Sequence, residues 1–394
     1  MKMALIPKLL IGLIVGVIIG FWGSDWVISI TETGRVLLGG LIKFFIPFII
    51  IAFVAAGIAD FREKVGKMLG FTVGIAYLDT ILAISLASAA AYFIIPGIAG
   101  DINTGKEAAE IASPFMEIEI SPVMDVLSAL ILAFVLGIGS TWDKSTTIRN
   151  AILEFRNIIM SCINKLILPI LPFFISTVFV QLTAKGEVFS NIPIFAGMFA
   201  LVLTMQLLWL TVEYSVAGFI FRQNPIAMIR KMIPAYITGI GTMSSAVTMP
   251  VALKQSKKVS YMNKKICDFV IPLCNTVHQA GAAMGIAIGA ITVHMFTIGG
   301  LPSIPTLIAF ILLLGIIEVG AVGVPGGSVM AALGVLQSTL GFDEAALGLM
   351  ITLFAIQDGF ATATNVTGDG ALAMIVNRFF GKDTDDPAYE DEVS

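Results

Sequence analysis

The sequence has few charged residues and few cysteines, and each shortage excludes a class of protein. Only 13% of the 394 residues are charged and 57% are hydrophobic, whereas a soluble globular chain carries about 25% charged residues. The cysteines Cys162, Cys267 and Cys274 lack a metal-binding spacing and make no even set for disulfides. A soluble enzyme, a disulfide scaffold and a nucleic-acid-binding protein are therefore not expected.

Long apolar runs dominate the chain instead. Several exceed 18 residues with few or no charges, the length that crosses about 30 Å of hydrocarbon. Strands of a membrane β-barrel would be about ten residues long and would alternate in polarity. We expect an all-α polytopic membrane protein whose first six spans lie at 4–22, 36–60, 69–96, 122–142, 150–182 and 190–221.

Basic residues sort the loops between the two sides of the membrane. The loop "DFREKVGK" has three of them and "KQSKKVSYMNKK" has five, whereas "SDWVISITETG" has none. Because cytoplasmic loops are rich in Lys and Arg, we place the basic loops and both termini in the cytoplasm. The predicted location is the cell (inner or plasma) membrane, with residues 381–394 as an acidic cytoplasmic tail.

Two apolar segments in the second half are interrupted at their centres. The segment 234–254 has two short arms around "GTMSSAVT", and the segment 306–336 repeats this design around "GVPGG". Basic residues flank only the first, so we predict two re-entrant hairpins that enter from opposite faces. Each precedes a long apolar span, at 266–297 and at 345–379. A hairpin and a helix that recur in this way indicate the inverted repeats of a secondary transporter, with a binding site near the midplane.

The last span contains the polar stretch "DGFATATNVTGDG". Its residues Asp358, Thr362, Asn365 and Asp369 recur at i, i+4, i+7 and i+11, so a helix presents them on one face, with Ala361 beside them. A charged side chain at mid-membrane costs at least about 2.5–3.5 kcal/mol. This face is therefore predicted to bind a ligand and an ion.

The seventh span has its own interruption, "NTVHQAGAAMG". Small residues around Gly281 predict a broken helix whose carbonyls are free to coordinate a cation. His278 and Gln279 lie at this break, where the histidine is either a ligand or a hydrogen-bonded structural residue. Three further acids lie within apolar segments: Asp79, Glu213 and Glu318. We assign the first and the last to ion coupling and expect a structural role for Glu213.

These motifs together resemble the dicarboxylate/amino acid:cation symporter family. The resemblance is carried by "NVTGD" after Asp358, the "GVPGG" tip, the tip "MSSAVTMP" and the broken span, in the same order over nearly the whole chain. It implies eight spans, two re-entrant hairpins and a homotrimer. Residues 1–68 and 122–185 would form a scaffold, and 69–121 and 186–380 a transport domain that moves as an elevator. Hairpins at about 225–256 and 303–340 would gate the site.

The resemblance also implies roles for single residues. Asp358 would bind the amino group of the substrate, and Asn365 its carboxylate. The implied substrate-binding residues are Ser244, Ser245, Gly326, Asp358, Ala361, Thr362 and Asn365. The implied ion-binding residues are Asp79, Thr80, His278, Gln279, Glu318, Asn365 and Asp369, of which Asp369 and Asn365 would hold Na⁺.

Two departures from the family pattern bear on substrate and ion. Ala361 stands where carriers of acidic substrates have Arg, and Ala280 stands where the family has an Asp that completes one sodium site. The serine/threonine type of the family also lacks that Asp. We expect a Na⁺-coupled symporter for a small neutral amino acid such as serine, threonine or alanine. The alternatives are a dicarboxylate or acidic amino acid as substrate, and H⁺ coupling through Asp79, His278 and Glu318. With Na⁺ coupling, Asp79 on the third span would restore the sodium site that lacks its Asp at Ala280.

Two other classes match part of the pattern. An intramembrane aspartyl protease needs aspartates in "YD" and "GxGD" settings, and this chain has "YLD" and "VTGD". Such a protease does not explain the two hairpins. A channel is the other class, but two acids facing one amide suit a zwitterion better than a selectivity ring. We therefore expect a carrier and not an enzyme.

Overall fold

The computed structural model describes residues 5–60, 67–99, 113–116, 120–142, 146–184, 186–259, 262–321, 323 and 325–381. Within these ranges the regular secondary structure is entirely helical. Three of the segments outside the described residues are residues 61–66 of the basic loop, the acidic loop at 101–112 and the tail at 382–394. The predictions that concern those segments stay predictions.

Fourteen α-helices follow one another in the described part of the chain. They are α1 (Leu5–Trp22), α2 (Asp25–Asp60), α3 (Lys67–Ala99), α4 (Val126–Trp142), α5 (Thr147–Cys162), α6 (Leu168–Ala184), α7 (Glu187–Phe221), α8 (Pro225–Thr242), α9 (Ser245–Ser256), α10 (Lys264–Val277), α11 (Ala280–His294), α12 (Ile304–Gly320), α13 (Gly327–Leu340) and α14 (Glu344–Phe380). A π-helical turn, Ile163–Ile167, joins α5 to α6 without interrupting the helical path.

Six helical stretches of the described chain are long and apolar enough to cross a membrane. They are Asp25–Ala56, Lys67–Ile98, Thr147–Ala184, Ile192–Phe221, Lys264–Gly299 and Glu344–Phe380. The other two predicted spans correspond to α1 and α4, whose apolar stretches are shorter. The protein is therefore a polytopic helical membrane protein, and the total of eight spans stays a prediction.

Helix α2 begins earlier than predicted, at Asp25 instead of residue 36. The polar segment "SDWVISITETG" had been expected to be a loop. Asp25 lies in the first turn, where a negative charge stabilises a helix. Arg35 also pairs with Glu32 one turn earlier, at 2.7 Å, which favours helix over loop.

The helices pack in two groups. α1 packs along α6, and α2 packs against α4 and α5. In the other group α14 is surrounded by α7, α8, α10 and α11, and α3 packs against α11. The two groups touch where α12 and α13 meet α2 and where α14 meets α6. The division into a scaffold and a mobile domain stays a prediction.

Two pairs of helices turn back on themselves at the predicted tips. Met243 and Ser244 join α8 to α9, and Met243 has a left-handed backbone with φ of 50°. Residues 321–326 join α12 to α13, and Gly326 has φ of 74°, which glycine adopts without a Cβ clash. Entry from opposite faces of the membrane stays a prediction.

The predicted break in the seventh span is confirmed. α10 ends at Val277 and α11 begins at Ala280, with His278 and Gln279 between them in non-helical backbone. Gly281 then lets α11 approach α14 closely, because a Cβ at this position would lie only 2.8 Å from the carbonyl oxygen of Ala361. The broken helix and the polar stretch of α14 are thus in direct contact.

Candidate functional site

The polar face of α14 is buried along its whole length. Asp358, Thr362, Asn365 and Asp369 are at most 7% exposed, and Ala361 is completely buried. They lie on one uninterrupted helix, as their spacing predicts. Because neighbouring helices enclose this face, its polar atoms must find partners on those helices.

Asp358 contacts the tip of the second helical pair. The backbone N–H of Gly326 donates to Asp358 Oδ2 at 2.8 Å. The two tips also touch each other, since the Ser244 hydroxyl donates to the carbonyl of Gly323 at 3.2 Å. Ser245 is buried at the start of α9 beside Gly323. Both tips therefore close over the carboxylate of Asp358.

A narrow crevice runs from this carboxylate toward the other helix group. Its lining residues come from both tips, from α14, from α1 and from α6, and they include Met243, Pro325, Asp358, Leu9 and Leu171. Apart from Asp358 the side chains that line it are apolar. The Asp358 carboxylate is thus the single charged side chain among the residues that line this crevice.

Asn365 holds the beginning of α11. Its Oδ1 accepts hydrogen bonds from the backbone N–H groups of Gly281 at 2.7 Å and Ala282 at 3.3 Å. Its Nδ2 donates to Gln279 Oε1 at 2.6 Å. An amide nitrogen carries two N–H groups, so a second donor is left after the bond to Gln279. This remaining N–H is the group that Asn365 can offer to a ligand.

Two glutamines extend this network, and sequence reasoning missed both. Gln206 of α7 donates from Nε2 to the carbonyl of Gly281 at 2.9 Å and to Gln357 Oε1 at 3.1 Å. Both glutamines are nearly inaccessible to solvent. The available signal was an amide side chain within an otherwise apolar run, as in "TMQLLWL". These bonds connect α7, α11 and α14.

The structure brings His278 between two carboxylates. Its Nδ1 lies 3.0 Å from Asp369 Oδ1, and its Nε2 lies 2.8 Å from Asp79 Oδ2. Trp209 Nε1 donates to the same Asp79 oxygen at 3.1 Å. Asp79 of α3 therefore lies beside the break in the seventh span, and its role in ion coupling stays a prediction.

Glu213 of α7 lies beside the same histidine. Its Oε1 is 3.7 Å from His278 Nε2, and the residue is 3% exposed. Neither of its carboxylate oxygens has a hydrogen-bond partner in the described chain. Sequence reasoning gave Glu213 a structural role because "LTVEYSVAG" offers no neighbouring motif, and it did not place this acid with the histidine.

Glu318 and Thr80 occupy different surroundings. Glu318 is fully buried near the end of α12, and no described residue forms a hydrogen bond with its carboxylate oxygens. The polar groups that act on Glu318 are Ser328 and Asp358, and not Asp79 or His278, with which the sequence grouped it. Thr80 is buried, and its hydroxyl has no partner in the described chain.

The arrangement of Asp79 and Asp369 argues against the protease alternative. An aspartyl protease needs two carboxylates that share one site. Here the imidazole ring of His278 stands between them, with one carboxylate on each ring nitrogen. The pair therefore lacks the shared position at which a hydrolytic water would be activated.

A comparison with known families agrees with the fold and with these motifs. The profile of the sodium:dicarboxylate symporter family matches residues 5–379, nearly the whole chain. This confirms the resemblance inferred from the hairpin tips and from "NVTGD". It also identifies the function at a general level, because the family consists of sodium-coupled symporters of dicarboxylates and amino acids. The chain therefore belongs to the sodium:dicarboxylate symporter family.

Proposed function

We propose that this symporter carries a small neutral amino acid such as serine, threonine or alanine. One observation carries the proposal: no Lys or Arg is found among the buried residues of the described chain. An acidic side chain in the site would lie without a cationic partner, which is costly in a desolvated place. Ala361, where carriers of acidic substrates have Arg, offers no charge either.

The two poles of an amino acid match the groups on α14. Asp358 Oδ2 accepts the backbone N–H of Gly326, so its other oxygen, Oδ1, suits an ammonium group. The remaining N–H of Asn365 suits a carboxylate. The N-termini of α9 and α13 begin at Ser245 and Gly327, and helix N-termini favour anions. Thr362, one turn from Asp358, adds a buried hydroxyl.

Sodium fits the oxygen atoms near the break. Na⁺ is a hard cation, and hard cations prefer oxygen ligands. Asp369 Oδ2, Thr80 Oγ1 and Asn275 Oδ1 are buried oxygens without hydrogen-bond partners in the described chain. Asn365 Oδ1 already accepts two N–H groups, so the proposed sodium site depends on Asp369 more than on Asn365. A bound Na⁺ would supply the positive charge that the buried carboxylate lacks.

Proton coupling is the second candidate, favoured by the position of His278. An imidazole with a carboxylate on each nitrogen is a group that can carry a proton across the membrane. Na⁺ remains the first choice, because the family is sodium-coupled and because Asp369 keeps an oxygen free.

We further propose a homotrimer in the cell membrane with an elevator mechanism. The separate packing of α1 with α6 and of α2 with α4, apart from the helices around α14, supports this. A homotrimer built on the first group would leave the second free to move. Chemical cross-linking in native membranes would yield a trimer if this is right.

Uptake by purified protein in liposomes tests substrate and ion together. Labelled serine, threonine, alanine and aspartate are offered with an inward Na⁺ gradient, and in Na⁺-free buffer with an acid exterior. We expect accumulation of a neutral amino acid only with Na⁺. Preferred uptake of aspartate or another dicarboxylate would show that the substrate assignment is wrong. Full accumulation without Na⁺ would show that H⁺ is the coupling ion.

A further inference from the structure

Asp79, Glu213 and His278 form a cluster that is part of neither the substrate site nor the sodium site proposed above. Asp79 comes from α3, Glu213 from α7, and His278 from the break between α10 and α11. One ligand atom from each lies within 4.8 Å of the other two. We propose that these three residues bind a divalent transition-metal ion such as Zn²⁺.

The distances suit an ion of this size. Zinc binds His nitrogen and carboxylate oxygen at about 2.0–2.2 Å, so two ligand atoms on a tetrahedral ion lie about 3.4 Å apart. Glu213 Oε1 is 3.7 Å from His278 Nε2, close to that value. Asp79 Oδ2 is 2.8 Å from the same nitrogen. An ion at Nε2 would take the place of the proton in this hydrogen bond, and the Asp79 carboxylate would have to turn aside to bind it.

Two of the three ligands already have the outer partners that metal ligands need. A ligating histidine usually donates its other ring N–H to a carboxylate, which fixes the tautomer. Asp369 Oδ1, 3.0 Å from Nδ1, is placed to accept this N–H, which leaves the lone pair of Nε2 for a metal. Trp209 in turn donates to Asp79 and orients that carboxylate.

Glu213 supplies an independent observation. It is 3% exposed, and both of its oxygens are without hydrogen-bond partners in the described chain. A buried carboxylate in this situation is costly unless it is paired or coordinates a metal. With a neutral imidazole the carboxylates of Asp79, Glu213 and Asp369 sum to −3, and a divalent ion reduces this to −1. The Asp79 side chain is 15% exposed, so the described residues do not seal the cluster on this side.

The donor set selects the class of ion. One imidazole nitrogen with two carboxylate oxygens suits first-row transition metals, whereas Mg²⁺ and Ca²⁺ prefer oxygen alone. The sodium site proposed above uses the other oxygen of Asp369, so the two sites share that residue but not the same atom. The metal site also does not depend on which substrate is carried, because it can be measured by binding alone.

Calorimetric titration of the purified full-length protein with ZnCl₂ tests the proposal. We expect saturable binding of one ion per chain. Glu213→Gln and Asp79→Asn, which keep the side-chain shapes, should each weaken binding at least about tenfold, and Trp209→Phe should weaken it about tenfold through the outer partner. The chain has two histidines, and His294, whose Nδ1 contacts the Gly300 carbonyl, gives the matched control: His294→Gln should bind as before.

Each result decides the question. Absence of saturable Zn²⁺ binding by the unmodified protein would overturn the proposal, whatever the variants do. Undiminished binding by Glu213→Gln or Asp79→Asn, or loss in His294→Gln alone, would place the ion elsewhere and would also overturn it. Gel filtration and helical circular dichroism check that each variant is folded. Should Glu213→Gln fail that check, Asp79→Asn and Trp209→Phe carry the test. Failure of the amino acid proposal would appear in uptake and would leave these binding results unchanged.

Discussion

Replacement of Asp358 by asparagine tests the substrate anchor. The change keeps the shape of the side chain and an oxygen that can accept the N–H of Gly326, now 2.8 Å from Oδ2. It removes the negative charge from a residue that is 7% exposed. The ammonium group of a bound amino acid would then be buried without its counter-charge.

The expected loss follows from that burial. Removing one partner of a buried, hydrogen-bonded charge pair costs about 2–5 kcal/mol. At about 1.4 kcal/mol for each factor of ten, this corresponds to an affinity about 30- to 4,000-fold weaker. The tip contact with Gly326 should survive, so the protein should remain folded and the loss should appear in substrate binding.

The assay is the apparent affinity for labelled serine in liposomes, together with substrate-induced thermal stabilisation of the purified protein. Asp343→Asn serves as a control, because this acid lies at the start of α14 and accepts a hydrogen bond from the N–H of Ala346, far along the helix from the tips. Affinity within threefold of the unmodified value in Asp358→Asn would refute the reasoning and would favour a substrate without an amino group.

Four further predictions test other parts of the site. Ala361→Arg should move the preference from serine toward aspartate, as measured by competition in uptake; unchanged selectivity would mean that this position does not face the substrate. Asn365→Ala should abolish uptake, because it removes both the donor for the substrate and the two acceptor bonds at the start of α11; uptake close to normal would contradict both roles. Asp79→Asn should leave Na⁺-driven uptake measurable if Na⁺ couples through Asp369, whereas loss of acid-driven uptake in Na⁺-free buffer would support the proton candidate. Gly281→Ala should lower the free energy of unfolding by about 1–3 kcal/mol, because the new methyl group overpacks against α14. Gly241→Ala is the control and should lower it far less, since its new Cβ would meet nothing within 4 Å. Equal melting temperatures for the two variants would contradict the close approach of α11 to α14.

Local patterns in the sequence were enough to predict one helix and its polar face. Residues spaced like Asp358, Thr362, Asn365 and Asp369 share one face of any α-helix, so the spacing alone predicts the polar face of α14. The break was predicted from Gly281, because glycine is a poor helix former, but the structure has Gly281 inside α11 and the break just before it, at His278 and Gln279. Both features depend on residues that are close together in the chain.

The arrangement around His278 could not be derived in this way. Asp79 and Glu213 lie 199 and 65 positions before this histidine, and only the packing of α3 and α7 brings them to it. An acid in an apolar span indicates that a buried partner must exist, but the sequence does not show which residue that partner is. For this reason the sequence suggests a structural role for Glu213, and it groups Glu318 with Asp79 and His278 although the structure places Glu318 near Ser328 and Asp358.

If Asp358 binds the substrate as proposed, its hydrogen bond to Gly326 couples substrate binding to the position of the second tip. One oxygen of the carboxylate accepts the Gly326 N–H, and the other is the one proposed to bind the substrate amine. If the substrate amine favours the orientation of Asp358 that also accepts the Gly326 N–H, then bound substrate raises the equilibrium constant for closure of the tip by some factor. Reciprocity then requires that closure raise the affinity for substrate by the same factor. A substitution that weakens only the tip contact would therefore weaken substrate binding without touching any substrate atom.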